Sequence, residues 1–402
     1  MKRKDLQKLS ICLALAFGAI PGIMSCSTDV DESGSPNMSG PAYVEGIDMT
    51  KDNTTRAIGQ ELKTFSMYSM TMMNRVNGAM LSDGILYTKG SSSWSSNAPY
   101  YMDERLAMKA FGLSPEVTHV GDPVFKWTEQ NFTFTNPTEN QVMLKAASKL
   151  NYKKAEMNNQ LQMKFNDILY TLRFQAMNSI SIENSKVYVK GVTIHNLPNK
   201  AKFSFDASAE SKGSWELTGD CEYVNFSQEL ESPVELNKKL QDVMDSAFVL
   251  LPFVPELWDP ATETLEEADA NHHLYIEVKA QITQEVDKGN GTTKTIYLWG
   301  AKDENNPKYP QYESIFYQYK HLMNTTQKNW NQAYNGYYRL LVSKTGYDKN
   351  SVLFQPHPDD EDGASEFTSS DPIDFTVVDD ANGNNVDPWS ADADNSTVEI
   401  KM

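Results

Sequence analysis

Residues 274–299 read LYIEVKAQITQEVDKGNGTTKTIYLW. Leu274, Ile276, Val278, Ala280 and Ile282 alternate with Tyr275, Glu277, Lys279 and Gln281. A period of two puts the apolar side chains on one face of a strand, whereas a helix would scatter them around its axis. Asp287-Lys288-Gly289-Asn290-Gly291 then brings together residues that turn a chain sharply. Thr295–Trp299 resumes β-branched and aromatic character. The stretch predicts a hairpin with one buried face and one solvated face.

The same pattern recurs on both sides of it. Phe65, Met67 and Ser69 alternate as an edge-type strand. Val124–Thr135 is aromatic and β-branched, and Lys202–Asp206 alternates. Val187–Ile194 is strand-like with Gly191 inside it, which predicts a bulge. Tyr337–Val342 and Asp374–Val378 add two more strands, and residues 89–99 predict a loop. Two stretches show helical spacing instead. Phe165, Ile168, Leu169 and Leu172 fall at i, i+3, i+4 and i+7 before Leu172, Phe174 and Ala176 return to period two. Tyr312, Ile315, Phe316, Tyr319, Leu322 and Met323 predict a helical insertion over 310–325. Many short strands separated by turns predict a mostly β chain built from β-sandwiches, with short helical insertions.

Composition excludes several classes of function. The 402 residues carry 36 Lys+Arg and 54 Asp+Glu, a net charge of −18. Nucleic acid and anionic membranes are bound largely through Lys and Arg, so neither is an expected partner. Three cysteines exclude a disulfide-dense scaffold, and 40% hydrophobic residues are enough for real cores.

Lys2, Arg3, Lys4 and Lys8 precede an apolar stretch from Leu9 to Ile23. That is a secretory signal in length and flanks. Ile23-Met24-Ser25-Cys26 resembles a bacterial lipobox, with an aliphatic residue at −3, a small one at −1 and Cys at +1. It predicts loss of residues 1–25 and lipidation of Cys26 with more than one acyl chain, as stable anchoring requires. Asp29, Asp31 and Glu32 resemble the surface-export signals of some Gram-negative lipoproteins and equally fit a solvated acidic linker. Residues 27–56 are rich in Ser, Gly, Asp and Thr without an apolar period and predict a tether. Cys12 leaves with the signal and Cys26 takes lipid, so Cys221 stands alone as a half-buried strand cysteine.

Catalytic signatures are absent. The sequence holds no G-x-S-x-G, H-E-x-x-H, C-x-x-C pair or phosphate-binding G-x-x-x-x-G-K-[ST]. Of His119, His195, His272, His273, His321 and His357, only His272 and His273 are adjacent, and neighbours on a strand point to opposite faces. Asp359–Asp362 reads as a solvated acidic loop. Asp380-x-Asn382-x-Asn384-x-x-Asp387 loosely resembles a calcium loop, but Asn385 and Ala391 stand where an EF-hand needs Gly and Glu. No metal, cofactor or enzymatic activity is expected. Trp94, Tyr100 and Tyr101 fit either a sugar-stacking platform or the cover of a core edge.

Several segments in order resemble the fimbrillin family, the pilus subunits of anaerobic Gram-negative bacteria. Lipobox Cys26 is followed by a tether, and Thr55-Arg56-Ala57 looks like the family's arginine maturation site. Phe165–Phe174 (FNDILYTLRF) is similar to a family segment that usually has His at the place of Asn166, and Val187–Asn196 (VYVKGVTIHN) follows. Leu250-Leu251-Pro252 resembles the family's aliphatic-Pro signature, with Phe253 where Gln is common. Trp330, Asn335–Leu340 (NGYYRL) and Phe375–Trp389 complete the series.

The resemblance implies two tandem transthyretin-like β-sandwich domains, over 57–225 and 226–402, behind a signal peptide (1–25) and a tether or pro-segment (26–56). It implies a lipoprotein of the outer membrane and cell surface, cut by a maturation protease between Arg56 and Ala57. The cut removes a first strand, for which Ala42, Tyr43, Val44 and Ile47 are the available residues. A C-terminal strand of another pilus subunit then fills the groove, and Thr397, Val398, Glu399 and Ile400 resemble such a donor. The implied role is a structural subunit of a fimbrium contributing to cell adhesion. Residues 396–402 equally fit the last strand of their own sheet. A surface glycan-binding lipoprotein of a nutrient-uptake complex shares the lipobox, the acidity and the sandwiches, and exposed Trp and Tyr on one platform would mark it.

Overall fold

A computed structural model of the chain describes residues 41–48, 61–73, 76–115, 125–126, 128–157, 160–178, 180, 183–253, 255–318, 335–343 and 374–377. The predicted hairpin is present. β16 (Tyr275–Asp287) pairs antiparallel with β17 (Thr293–Trp299), with a register shift between Ile282 and Thr283. Gly289 and Gly291 both have positive φ, +76° and +78°, and open space around them, so the turn uses their backbone freedom and not their small size. Ile276, Val278, Ala280 and Ile282 are fully buried, as the alternation requires.

β16 lies inside a sheet ordered β13 (Tyr223–Glu235), β10 (Ser185–Pro198), β16, β17, with β18 (Glu313–Gln318) also pairing with β16. A second five-stranded sheet is ordered β14 (Gln241–Asp242), β9 (Tyr170–Asn178), β19 (Asn335–Ser343), β20 (Asp374–Val377), with β15 (Phe248–Leu250) also on β9. The inner faces of these two sheets share one core that includes Leu172, Phe174, Val189, Ile194, Phe226 and Ile276. The bulge falls where Gly191 predicts it, between Val189 and Gly191.

The remaining strands form a seven-stranded sheet and a three-stranded one. The larger is ordered β1 (Tyr43–Asp48), β8 (Gln160–Asp167), β7 (Lys145–Tyr152), β5 (Ala107–Ser114), β2 (Thr64–Met73), β3 (Val76–Lys89), β4 (Trp94–Ser96). The smaller is ordered β12 (Gly213–Leu217), β11 (Lys200–Phe205), β6 (Asn131–Thr135). One face of the larger sheet packs on the smaller through Phe111, Phe132, Phe203 and Phe205. The other face curls around a separate core of Phe65, Met67, Tyr87, Leu161, Met163 and Phe165. The curl brings β1 at one edge close to β4 at the other, so that a Cβ on Gly46 would lie 3.0 Å from the Trp94 ring. Among the described residues, which are mostly strand, there are two short helices, α1 (Lys154–Met157) and α2 (Leu265–Asn271). α2 begins with a capping box in which Thr264 and Glu267 satisfy each other's backbone N–H.

Several expectations need correction. The helical spacing at 165–172 is two strands joined at Ile168-Leu169. Its apolar residues enter three different cores, Phe165 one, Ile168 and Leu169 a second, Leu172 a third. Of the stripe at 310–325, residues 313–318 are strand, paired antiparallel with Tyr275–Ala280, and Tyr319, Leu322 and Met323 lie outside the described residues. Ile315 faces the large core while Phe316, partly buried, packs on Tyr275 behind the sheet, and apolar contacts on both faces imitate a helical pair. Phe65, Met67 and Ser69 lie on β2, an interior strand between β3 and β5. Of the described residues within Val124–Thr135, Lys126 makes an isolated bridge to Asn131, 128–130 turn and 131–135 form strand. The loop 89–99 contains β4, and the tether 27–56 contains β1. β9 and β10, which precede residue 225, pair with strands that follow it. Cys221 is partly buried but sits in the turn between β12 and β13.

Candidate functional site: the seat of the first strand

β1 is the edge of the seven-stranded sheet and runs parallel to β8, from Tyr43 opposite Gln160 to Asp48 opposite Phe165. It is six residues long and looks polar in sequence, yet it is set deep. Val44 is 2% exposed, and Ala42 N donates to Tyr100 O at 2.7 Å. Alternation sends Val44, Gly46 and Asp48 inward. Tyr43 is exposed, and Glu45 accepts from Gln162 Nε2 at 3.3 Å on the outside.

Under β1 lies an aromatic floor. The Phe65 ring stacks on Tyr87 at 4.9 Å and 9°, meets Trp94 edge-on at 4.9 Å and Phe165 at 4.9 Å. Deeper in the same core, Tyr100 Oη, Tyr152 Oη and Ser69 Oγ form a closed hydroxyl triangle of 2.5, 2.8 and 3.2 Å. Burial pushes the Tyr100 and Tyr152 phenols above their ordinary range. They therefore act here as neutral hydrogen-bonding groups.

The inner end of the seat is ionic. Asp48 Oδ2 accepts from Leu62 N at 3.2 Å, and Asp48 Oδ1 accepts from Lys145 Nζ at 3.1 Å. Lys145 also donates to Asp167 Oδ1 at 2.6 Å, and its side chain is 2% exposed. Burial raises the Asp167 carboxyl; the Lys145 ammonium pulls it down and Asp48 adds to the rise. One buried cation thus joins β1 to β7 and to the end of β8.

The residues singled out by sequence divide sharply. Cys26, Arg56, Ala57, Thr397, Val398, Glu399 and Ile400 lie outside the described residues, as do the calcium-like loop, Asp359–Asp362, His119, His321 and His357. Arg56 belongs to the connection 49–61, whose two ends meet where Leu62 N contacts the Asp48 carboxylate. Of the three aromatics offered for sugar stacking, Trp94 and Tyr101 are half-buried. Tyr100 is 1% exposed and engaged in the hydroxyl triangle, and Trp94 covers Phe65. His272 caps α2 in left-handed conformation and stacks on Tyr223, while His273 Nδ1 meets Glu263 Oε2 at 2.7 Å. Among the described residues, no three His, Cys, Asp or Glu side chains are grouped to hold a metal ion, and no helix is long and apolar enough to cross a membrane. Lys145 and Asp167 were invisible to sequence reading because their partner is far away in the chain. The Val44-x-Gly46-x-Asp48 alternation was the available signal, and it is short.

No family model and no curated protein matches the chain. It is similar to the solved structure of a fimbrial protein from Bacteroides vulgatus, at 14% identity over 76% of this chain and 95% of that one, with a TM-score of 0.47. A "putative cell adhesion protein" from Parabacteroides distasonis is 12% identical, covers 85% of this chain and 97% of its own, and has a TM-score of 0.41. One from Bacteroides uniformis is 11% identical over 77% and 95%, with a TM-score of 0.40.

Proposed function

We propose that the chain is a lipidated, surface-exported structural subunit of a pilus, assembled by donor-strand exchange and contributing to adhesion. One observation carries the reading: a strand that completes a core, β1, is followed at once by the connection that holds Arg56. Hydrolysis of the Arg56–Ala57 peptide bond by a maturation protease would leave β1 held by non-covalent contacts alone. Its departure would uncover the β8 edge and the floor around Phe65. A free strand edge above an apolar floor is what β-augmentation uses: backbone hydrogen bonds give affinity and alternate side chains give specificity. Thr397–Ile400 is the segment offered in turn to another subunit. Val398 and Ile400 alternate there as a donor strand requires. Cys26 carries the lipid that holds the unprocessed chain at the outer membrane, and the two tandem sandwiches of the resemblance form its body. The role is structural, with no catalytic residue assigned.

Electron microscopy and immunoblotting of surface fimbriae test the reading. The protein is expected in fimbriae only as the form beginning at Ala57, and Arg56→Ala should hold it untrimmed and outside them. Untrimmed chain built into fimbriae would overturn strand exchange.

A further inference from the structure

We infer that the seat of β1 selects its occupant by sequence, accepting from another subunit a strand with an aliphatic residue, a glycine and a carboxylate at alternate positions. The partner rests on the donor-strand reading above; the rule itself rests on how β1 is held.

Each inward position of β1 imposes a separate demand. At position 44 the side chain is 2% exposed against apolar neighbours, so an aliphatic group fits. At position 46 a Cβ would stand 2.8 Å from Phe65 Cε1 and 3.0 Å from both Leu62 Cδ2 and Trp94 Cζ2. Phe65 cannot yield, because Tyr87, Trp94 and Phe165 enclose its ring. Even alanine overfills the place. At position 48 a carboxylate meets the buried Lys145 ammonium at 3.1 Å. An apolar residue there would strip a buried cation of one of its acid partners, a costly mismatch that discriminates between strands. Direction matters too, since an antiparallel strand would bring its acid to the apolar end of the seat.

The pattern Val/Ile/Leu-x-Gly-x-Asp/Glu occurs once in the sequence, at Val44–Asp48 itself. Residues 396–402, STVEIKM, contain no glycine. Residues 396–402 therefore do not match this seat, and its occupant in an assembly carries the pattern that Val44, Gly46 and Asp48 show.

Limited cleavage of the full chain with an arginine-specific protease, in the presence of excess labelled peptide, tests this. Four peptides compete: residues 41–49, the same with Gly46→Val, the same with Asp48→Leu, and residues 390–402. The first should be retained at least tenfold better than the other three. Equal retention of all four, or of the tail peptide and the first, overturns the rule. Retention of no peptide overturns strand exchange itself, a different result from retention without preference. A second measurement needs no exchange. In the intact chain Asp48→Leu should lower the melting temperature, and in a Lys145→Met background the same change should cost clearly less, since only the Leu62 N–H contact is then lost. Equal losses in both backgrounds overturn the role of Lys145. The peptide competition uses unaltered protein, so it decides even where Lys145→Met fails to fold.

Discussion

Lys145 Nζ reaches Asp48 Oδ1 at 3.1 Å across 97 positions of sequence. The contact fastens the first strand to the middle of the seven-stranded sheet at a place that water scarcely reaches, since Lys145 is 2% exposed and Asp48 11%. Asp167 shares the same ammonium at 2.6 Å. Two carboxylates around one cation make the lysine hard to replace, because its loss leaves like charges facing each other in a poorly solvated place.

Lys145→Ala should therefore destabilise the protein by about 3–5 kcal/mol, the cost of breaking a buried ion pair from one side. Urea unfolding measures it. Lys186→Ala is the control, because its pair with Glu285 spans 3.8 Å between side chains each more than 40% exposed, and it should leave the midpoint unchanged.

Phe65 is fully buried beneath β1, so Phe65→Ala should cost about 3–5 kcal/mol through lost burial and the cavity left behind. Tyr43, on β1 itself and 41% exposed, should tolerate Ala within about 0.5 kcal/mol. Equal costs at the two positions would contradict the inward and outward faces assigned to β1.

His273 provides a pH dependence. Its hydrogen bond to Glu263 raises its pKa, with Glu256 adding to the effect and burial opposing it. Folding thus favours the protonated ring. The resulting stability is complete below the ordinary imidazole value of about 6.5 and is lost as pH rises through the higher folded value. The melting temperature should fall over that window, and His273→Gln should flatten the profile. An unchanged profile in the variant would assign the dependence elsewhere.

Cys26→Ala should abolish incorporation of labelled palmitate and release the chain from the membrane fraction. Label that persists in the variant would place the lipid on another residue.

Strand regions with one buried face were legible from sequence, and those with two were not. Residues 275–299 alternate because one face meets a core and the other meets solvent or polar neighbours. Phe165, Ile168, Leu169 and Leu172 misled because three cores lie within eight residues, so their spacing reflects tertiary surroundings and not a backbone period. Ile315 and Phe316 misled for a related reason, the first buried and the second partly buried on opposite faces of one strand. β1 was obscured by its length and by Glu45, Gly46 and Asp48, which read as linker. Gly46 is present for want of space and Asp48 for a lysine 97 residues away, and neither reason is local.

The parallel pairing of β1 with β8 also orders events in time. Tyr43 is among the earliest residues of the described chain to be synthesised, and its partner Gln160 comes more than a hundred residues later. Closing so long a loop is entropically costly and slow, and nothing in the intervening local structure can substitute for it. The hairpins of β2, β3 and β5 can form while β1 still waits for an edge. β1 therefore has no edge to join until β8 has been made.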